Sequence, residues 1–400
     1  MSEESQSCRN TNKENNTWIL TELLTGKRPI GVKRVFKLKK KETSAVIRHK
    51  ARLVAKGYVQ RHGIDFDEVF APVARMESVR LLLAVAAYLG WTVHHMDIKS
   101  AFLNRELEEE LDTRLHELGF KRSATEHAVY TRGEGSKRLI IGVYIDDLII
   151  TDAHAEEIRH FKGKMHSLFR MSDLGLLSYY LRIEKLLKIG GLVDCNSTCV
   201  PMEPRLKLMK NSDRPAIDAT LYRSLVGSLR YLVHTWPDFA FAVGSVSRFM
   251  ESPRDDHLLV VKHILRYVAG TQNFGCCLAR SGETGICLLG FSDSDLGGDI
   301  DDRKSTSGAL FFLGSSPIAW QSQKQKVVAL SSCEAEYIAA TGAACLGIWL
   351  ARLLAEVLGT EPEMAILKVD NKSVISLCKN PVFHDRSKHI DTRYHLSGSA

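Results

Sequence analysis

The chain has 400 residues, 44% of them hydrophobic, which is enough for two or three domains with compact cores. Nine cysteines, an odd number behind no signal peptide, argue for reduced intracellular thiols against a disulfide framework, and no paired Cys-x-x-Cys units suggest a zinc knuckle. The formal net charge of +7 is concentrated: Lys27, Arg28, Lys33, Arg34, Lys37, Lys39, Lys40, Lys41, Arg48, Lys50, Arg52 and Lys56 face only Glu42 in their stretch, a density that gathers phosphates.

In chain order, residues 1–16 are polar and charged and are expected to be disordered. Residues 81–87 read as a helix and 91–93 as a short strand leading to Asp97. Residues 139–143 and 148–150 read as two strands folded back at Tyr144-Ile145-Asp146-Asp147. Adjacent aspartates at the edge of a buried sheet are costly unless a divalent cation neutralises them, and two such ions serve in-line phosphoryl transfer. The plainer reading is a hairpin whose turn uses Asp because Asp favours turns. A proline-bearing linker spans 201–215, and residues 225–232 and 258–268 carry apolar side chains at helical spacing. Beyond it, a strand at 286–293 ends in Asp293, strands follow at 309–313 and 318–320, a helix at 334–340 turns Glu336 inward, and a strand at 366–369 ends at Asp370-Asn371. Cys195 and Cys199 have metal-like spacing without a partnering pair and read as structural thiols. No apolar stretch approaches the length needed to span a bilayer.

His95-Met96-Asp97-Ile98-Lys99-Ser100-Ala101-Phe102-Leu103-Asn104 together with the Tyr144 to Asp147 hairpin resembles the palm of a copia-type retrotransposon reverse transcriptase. Upstream, residues 31–39, Lys50-Ala51-Arg52-Leu53-Val54-Ala55-Lys56-Gly57-Tyr58, Gly63-Ile64-Asp65-Phe66 and Phe70-Ala71-Pro72-Val73-Ala74 resemble that family's fingers. The resemblance implies Asp97, Asp146 and Asp147 as metal-binding carboxylates. It implies Phe102 as the aromatic that blocks a sugar 2′-hydroxyl, Arg52 as nucleotide-binding as well, and Lys39, Lys40, Lys41, Lys50 and Lys56 as contacts to nucleic acid. Asp301 to Gly308, Ser331 to Tyr337 and Arg386 to His395 resemble the family's ribonuclease H, which implies Asp293, Glu336 and Asp370 as metal ligands and Asp391 as a fourth. Glu334 competes with Glu336, its plainer role being an exposed acid in a helix's first turn. His389 is a candidate mobile histidine or a surface bystander.

The fold class implied is a multidomain α/β and α+β chain. It comprises a disordered N-terminus (1–16), an incomplete right-hand fingers and palm (17–194), a linker and helical connection (195–280), and a ribonuclease H-like α/β domain (281–400). The activities implied are RNA-directed DNA polymerase and ribonuclease H, using two magnesium ions per site with manganese able to substitute. The implied partners are an RNA template, a DNA primer and an RNA–DNA hybrid, in an intracellular setting, cytoplasmic or nuclear, with no membrane. The match has gaps. After Glu110 a nucleotide-supporting segment is missing, a thumb segment is lost after Leu192, and the family continues past Tyr394-His395 where Ala400 follows closely. Arg34 and Leu296 stand where the family carries tryptophan. No protease or integrase accompanies these parts, so the chain reads as a Pol fragment with an impaired polymerase; the rival is a non-catalytic nucleic-acid-binding remnant of a decayed element.

Overall fold

The computed structural model describes residues 29–40, 46–61, 75–98, 107–135, 138–144, 147–177, 183–192, 195–280 and 286–379. Three sheets and a helical layer account for them. The first sheet is a two-stranded ribbon, β1 (Val32–Lys40) against β2 (Val46–Ala55), antiparallel, with Lys37 opposite Lys50 and Lys39 opposite Arg48.

The second sheet has six strands. In chain order these are β3 (Thr92–Ile98), β4 (Lys121–Arg122), β5 (Val129–Arg132), β6 (Leu139–Tyr144), β7 (Asp147–Asp152) and β8 (Met171–Leu176), arranged β4-β5-β6-β7-β3-β8. Between them run α1 (Met76–Leu89), α2 (Leu107–Glu117) and α3 (Ala155–Leu168). The continuous apolar run of β6 is explained by its neighbours, because a sheet covered on both faces needs no polar alternation. Leu139 and Ile141 share a core with Leu111, Leu115, Ile158 and Phe161 of α2 and α3, whereas Ile140 joins Leu81, Leu82 and Val85 of α1. Gly142 makes the close approach possible, since a Cβ there would meet Leu82 Cδ1 at 2.8 Å. Gly90, at φ 71°, ends α1 in the left-handed conformation that only glycine adopts without strain.

The third sheet is built from β9 (Leu288–Ser294), β10 (Thr306–Leu313), β11 (Ser316–Lys324) and β12 (Ile366–Lys368) in the order β11-β10-β9-β12, with β12 parallel to β9. On it lies α8 (Ser332–Leu358), capped by Ser331 Oγ accepting from Glu334 N and closed by Gly359. By length and composition α8 could cross a membrane, which corrects the expectation that no stretch comes near that length. Its apolar residues serve the core: Ala343, Leu350, Leu353 and Val357 pack with Phe311 and Ile318 of this sheet. A short α9 (Lys372–Lys379) follows β12.

The helical layer comprises α4 (Ile183–Gly190), α5 (Ala219–Leu232), α6 (Ala240–Val246) and α7 (Asp255–Gly270) around Tyr222, Leu229, Phe239 and Ile264. Leu186 and Leu187 of α4 belong to this core, although α4 falls within the 17–194 span. Residues 201–215 form no helix or strand, and Met202 and Leu208 pack against the core of the helical layer.

Buried Asp299 joins the helical layer to the third sheet, accepting from Arg248 at 3.1 Å and Lys324 at 2.6 Å. Burial raises its proton affinity, but Lys324, the Asp302 backbone N–H and Arg248 together outweigh it and hold the carboxyl below the ordinary aspartate range. The folded state therefore favours the ionised form. That contribution is complete above the ordinary aspartate range and is lost as pH falls through the depressed value. Asp299→Asn should cost roughly 3 kcal/mol, the lower end for breaking a buried pair, and should flatten the acid limb of a urea-melt stability profile. An acid limb unchanged by the substitution would move the linkage to other carboxylates.

Candidate active sites

The first centre forms where β3 and β7 pair. Their register sets Asp97 directly opposite Asp147, with Tyr144 opposite Asp147 across the β6–β7 hairpin. Two residues fifty positions apart in sequence thus become neighbours through strand pairing alone. Asp146, Phe102, Lys41, Asp391 and His389 lie outside the described residues. Arg52, Lys39, Lys40 and Lys50 fall on β1 and β2, and Lys56 is exposed just beyond β2.

His95 joins this centre without having stood out in the sequence. It precedes Asp97 by two on β3, hence on the same face, and its Nε2 lies 2.7 Å from Asp147 Oδ1. The hydrogen bond to Asp147 raises the His95 pKa; burial opposes it, and the charges of Asp147 and Asp97 add to the rise. The alternating period around Asp97 is the signal that the sequence offers for it.

The second centre forms on the third sheet. Phe291 and Lys368 are paired in the parallel register, and Asp293 and Asp370 each follow that pair by two residues, which brings both carboxylates to one end of adjacent strands. Glu336 reaches them from α8. Its Oε1 accepts from Asn371 Nδ2 at 3.2 Å, while its buried Oε2 has no hydrogen-bond partner. Burial pushes the Glu336 carboxyl up; Asn371 opposes this, while Asp370, through its charge and a carboxyl–carboxyl hydrogen bond, and the charge of Asp293 add to the rise. Asn371 is a second residue whose part emerges only in the fold. Its Oδ1 accepts from the backbone of Ser373 and Val374, so it caps α9 while orienting Glu336.

Glu334 corrects an expectation. It is buried at 6% exposure, and its Oε2 accepts from Leu330 N at 2.8 Å. It fastens the turn before α8 and is no exposed acid. Leu296 is 54% exposed and Arg34 is exposed, so neither residue that replaces a tryptophan is packed in a core.

Converging hard oxygen donors and an orphaned, buried carboxylate oxygen suit a divalent cation in chemistry. Among the described residues, however, no group of three or more His, Cys, Asp or Glu side chains is spaced to hold a metal ion.

A family model described as reverse transcriptase (RNA-dependent DNA polymerase) matches residues 15–114 and 109–200. The chain is 38% identical to the Retrovirus-related Pol polyprotein from transposon TNT 1-94 of Nicotiana tabacum over 461 residues, covering 99% of this chain and 34% of that protein. The chain belongs to the copia-type retrotransposon Pol family. It is also 33% identical to the Pol polyproteins from transposons RE1 and RE2 of Arabidopsis thaliana, each over 92% of this chain and 29% of the relative. This copia-type Pol region thus spans about a third of the length of the curated relatives it matches. Its reverse transcriptase domain implies a divalent metal and a nucleic-acid template and primer.

The family match falls into two pieces that overlap at 109–114, a stretch that contains Glu110, and the tobacco alignment is longer than the chain itself. In the structure α2 (Leu107–Glu117) runs through that junction as one unbroken helix.

Proposed function

We propose that this Pol region retains two-metal ribonuclease H chemistry at the Asp293, Glu336 and Asp370 centre while its Asp97, Asp146 and Asp147 polymerase centre is impaired. In this reading the ribbon is the fingers, the six-stranded sheet the palm, the helical layer the connection and the third sheet the ribonuclease H-like domain. The carrying observation is that Glu336 buries an oxygen without a donor beside Asp370 and Asp293, which the strand register brings to one sheet end, although the three are not spaced as a ready metal group. Like charges so arranged favour protons or cations. Two magnesium ions held by Asp293, Glu336 and Asp370 would supply water activation and stabilisation of the departing 3′-oxygen. Asn371 orients Glu336, and the parallel register of β9 and β12 holds Asp293 and Asp370 at one sheet end.

The impaired polymerase rests on the break in the family match at 109–114. Phosphoryl transfer depends heavily on positioning, and carboxylates without the nucleotide-supporting segment leave the incoming nucleotide poorly held. Purified protein with magnesium should therefore cleave an RNA–DNA hybrid yet extend a primed RNA template weakly or not at all. Robust extension that disappears in Asp146→Asn would overturn the impairment.

A second reading, a non-catalytic nucleic-acid-binding remnant, is favoured by the absence of a three-ligand metal group among the described residues. Both readings use the ribbon. Like charges at opposed register positions destabilise a strand pair, and phosphates between them would relieve this. Binding should be largely indifferent to sequence. Neutralising Lys39, Lys40 and Lys41 together should weaken it and lower the salt slope by about 0.9 for each phosphate left without its cation. An unchanged slope in a filter-binding salt series would place the surface elsewhere.

A further inference from the structure

Lys162 is a lysine that α3 turns inward, its side chain only 11% exposed. Its ammonium meets three acceptors on two other elements: Asp173 Oδ1 at 2.8 Å and Oδ2 at 2.9 Å on β8, and His94 Nδ1 at 2.9 Å on β3. An ammonium has three N–H groups and no acceptor, so the third bond exists only while Nδ1 keeps its lone pair. The His94 ring is therefore neutral, with its proton on Nε2. β8 is the last strand of its sheet, Met171 is its one buried residue, and Ser172 stands opposite Asp97. Asp173 Oδ1 also accepts from Gly175 N at 2.9 Å, where the pairing with β3 skips Leu174. One carboxylate thus fastens the irregular step of an edge strand, and Lys162 fastens that carboxylate to α3.

We propose that His94, Lys162 and Asp173 form an acid-sensitive clasp: a proton taken up at His94 Nδ1 ends its contact with Lys162 and uncouples α3 from the β8 edge beside Asp97. The protonated ring offers a donor where the ammonium needs an acceptor, and it sets a second positive charge against the first. Asp173 is left to serve two cations, and the inward-turned ammonium withdraws. Asp152 lies on the same sheet face, opposite Thr92, but its Oδ1 accepts from His154 N at 2.7 Å, with the exposed His154 ring at 3.4 Å. His95 and Asp97 alternate with His94 and so lie on the other face. Burial and the charge of Lys162 lower the His94 pKa, and Asp173 opposes them. The unfolded chain thus binds this proton more readily than the folded one. The clasp is whole above the ordinary histidine range and is lost as pH falls through that range toward the depressed value.

The test is native-state hydrogen exchange of the full chain, corrected for intrinsic rates, between about pH 7.5 and about pH 5, which bracket the ordinary histidine range. Amides of β8, Gly175 above all, should open about tenfold more often at the acid end, as loss of one hydrogen bond to a charged group implies. Those of β6 should keep their protection. His94→Asn puts an amide oxygen close to where Nδ1 stood and cannot titrate, so its β8 should be indifferent to pH. Lys162→Met keeps an inward apolar chain without the ammonium. It should open β8 at both pH values and raise the pKa of His94, read from its ring resonances. Acid opening that persists in His94→Asn, or that loosens β6 as much as β8, would overturn the clasp. So would a wild-type β8 equally protected at both ends. Should both variants fail to fold, the wild-type protein decides: β8 opening should follow the titration of the His94 ring, and opening that ignores that titration would overturn the clasp.

Discussion

Asp370→Asn should reduce cleavage of an RNA–DNA hybrid by roughly a thousandfold or more, the consequence of losing several kcal/mol of charge stabilisation in the transition state. Asp370 and Asp293 are exposed at the end of adjacent parallel strands, and Glu336 sits behind them with Oε2 buried and unpartnered. An amide in place of one carboxylate keeps the shape but lacks the charge that a magnesium pair requires. Hybrid binding should hardly change, because the basic ribbon of β1 and β2 is a separate sheet. Magnesium should also raise the thermal midpoint of the wild-type protein and do so less in Asp370→Asn, by ordinary linkage of a ligand to the folded state. Loss of cleavage accompanied by loss of hybrid binding would point to unfolding. A wild-type protein with neither cleavage nor magnesium-dependent stabilisation would make the centre a relic and favour the binding remnant.

The parts legible in the sequence are those set by local pattern. The β6–β7 hairpin, the strand of Asp293 and the helices around 225–232 and 258–268 follow from apolar periodicity and turn chemistry, and the structure contains each of them. Strand ends differ by a few residues, most usefully at β3, whose extension to Ile98 places Asp97 inside the sheet. What sequence does not reveal depends on distant contacts. Glu334 is the local exception: the Leu330 N–H that it accepts lies only four residues back, but the turn that brings the two together leaves no mark in the apolar pattern. The diagonal reach of His95 becomes visible only once the register of β3 and β7 is known. The length of α8 escapes the sequence for a different reason. A helix that is apolar on most sides carries a weak amphipathic signal, and its small residues, Ala339, Ala340 and Ala343, pack closely without advertising a face. The sharing of one core by α1, the six-stranded sheet and the third sheet is not legible at all.

That shared core makes Arg80 the residue whose loss should cost the most stability. Arg80 lies on α1 at 8% exposure, its Nε donating to Ile318 O at 2.8 Å and its Nη1 to His234 O at 2.9 Å. Its Nη2 pairs with Glu77 at 2.9 Å, and the guanidinium lies 3.8 Å from the centre of the Trp320 ring, whose Nε1 donates to Val233 O. One side chain therefore ties α1 to β11 and to the end of α5. Burial lowers the Arg80 pKa and Glu77 opposes this, but a guanidinium stays charged throughout the working range. Arg80→Ala would strand two carbonyl oxygens, leave Glu77 unpaired and open a void under Trp320, together about 3–5 kcal/mol. Arg80→Lys should recover little, since one ammonium cannot serve acceptors on three elements in the geometry of a planar fork. Because Leu81, Leu82 and Val85 of the same helix belong to one buried core with Ile140 of β6 and Phe311 of β10, the destabilisation should reach both sheets. Native-state hydrogen exchange should show amides of β6 and β9 opening faster by a common factor in Arg80→Ala. If β9 keeps its wild-type protection while β6 loses it, the two sheets are separate folding units and Arg80 is a local bond.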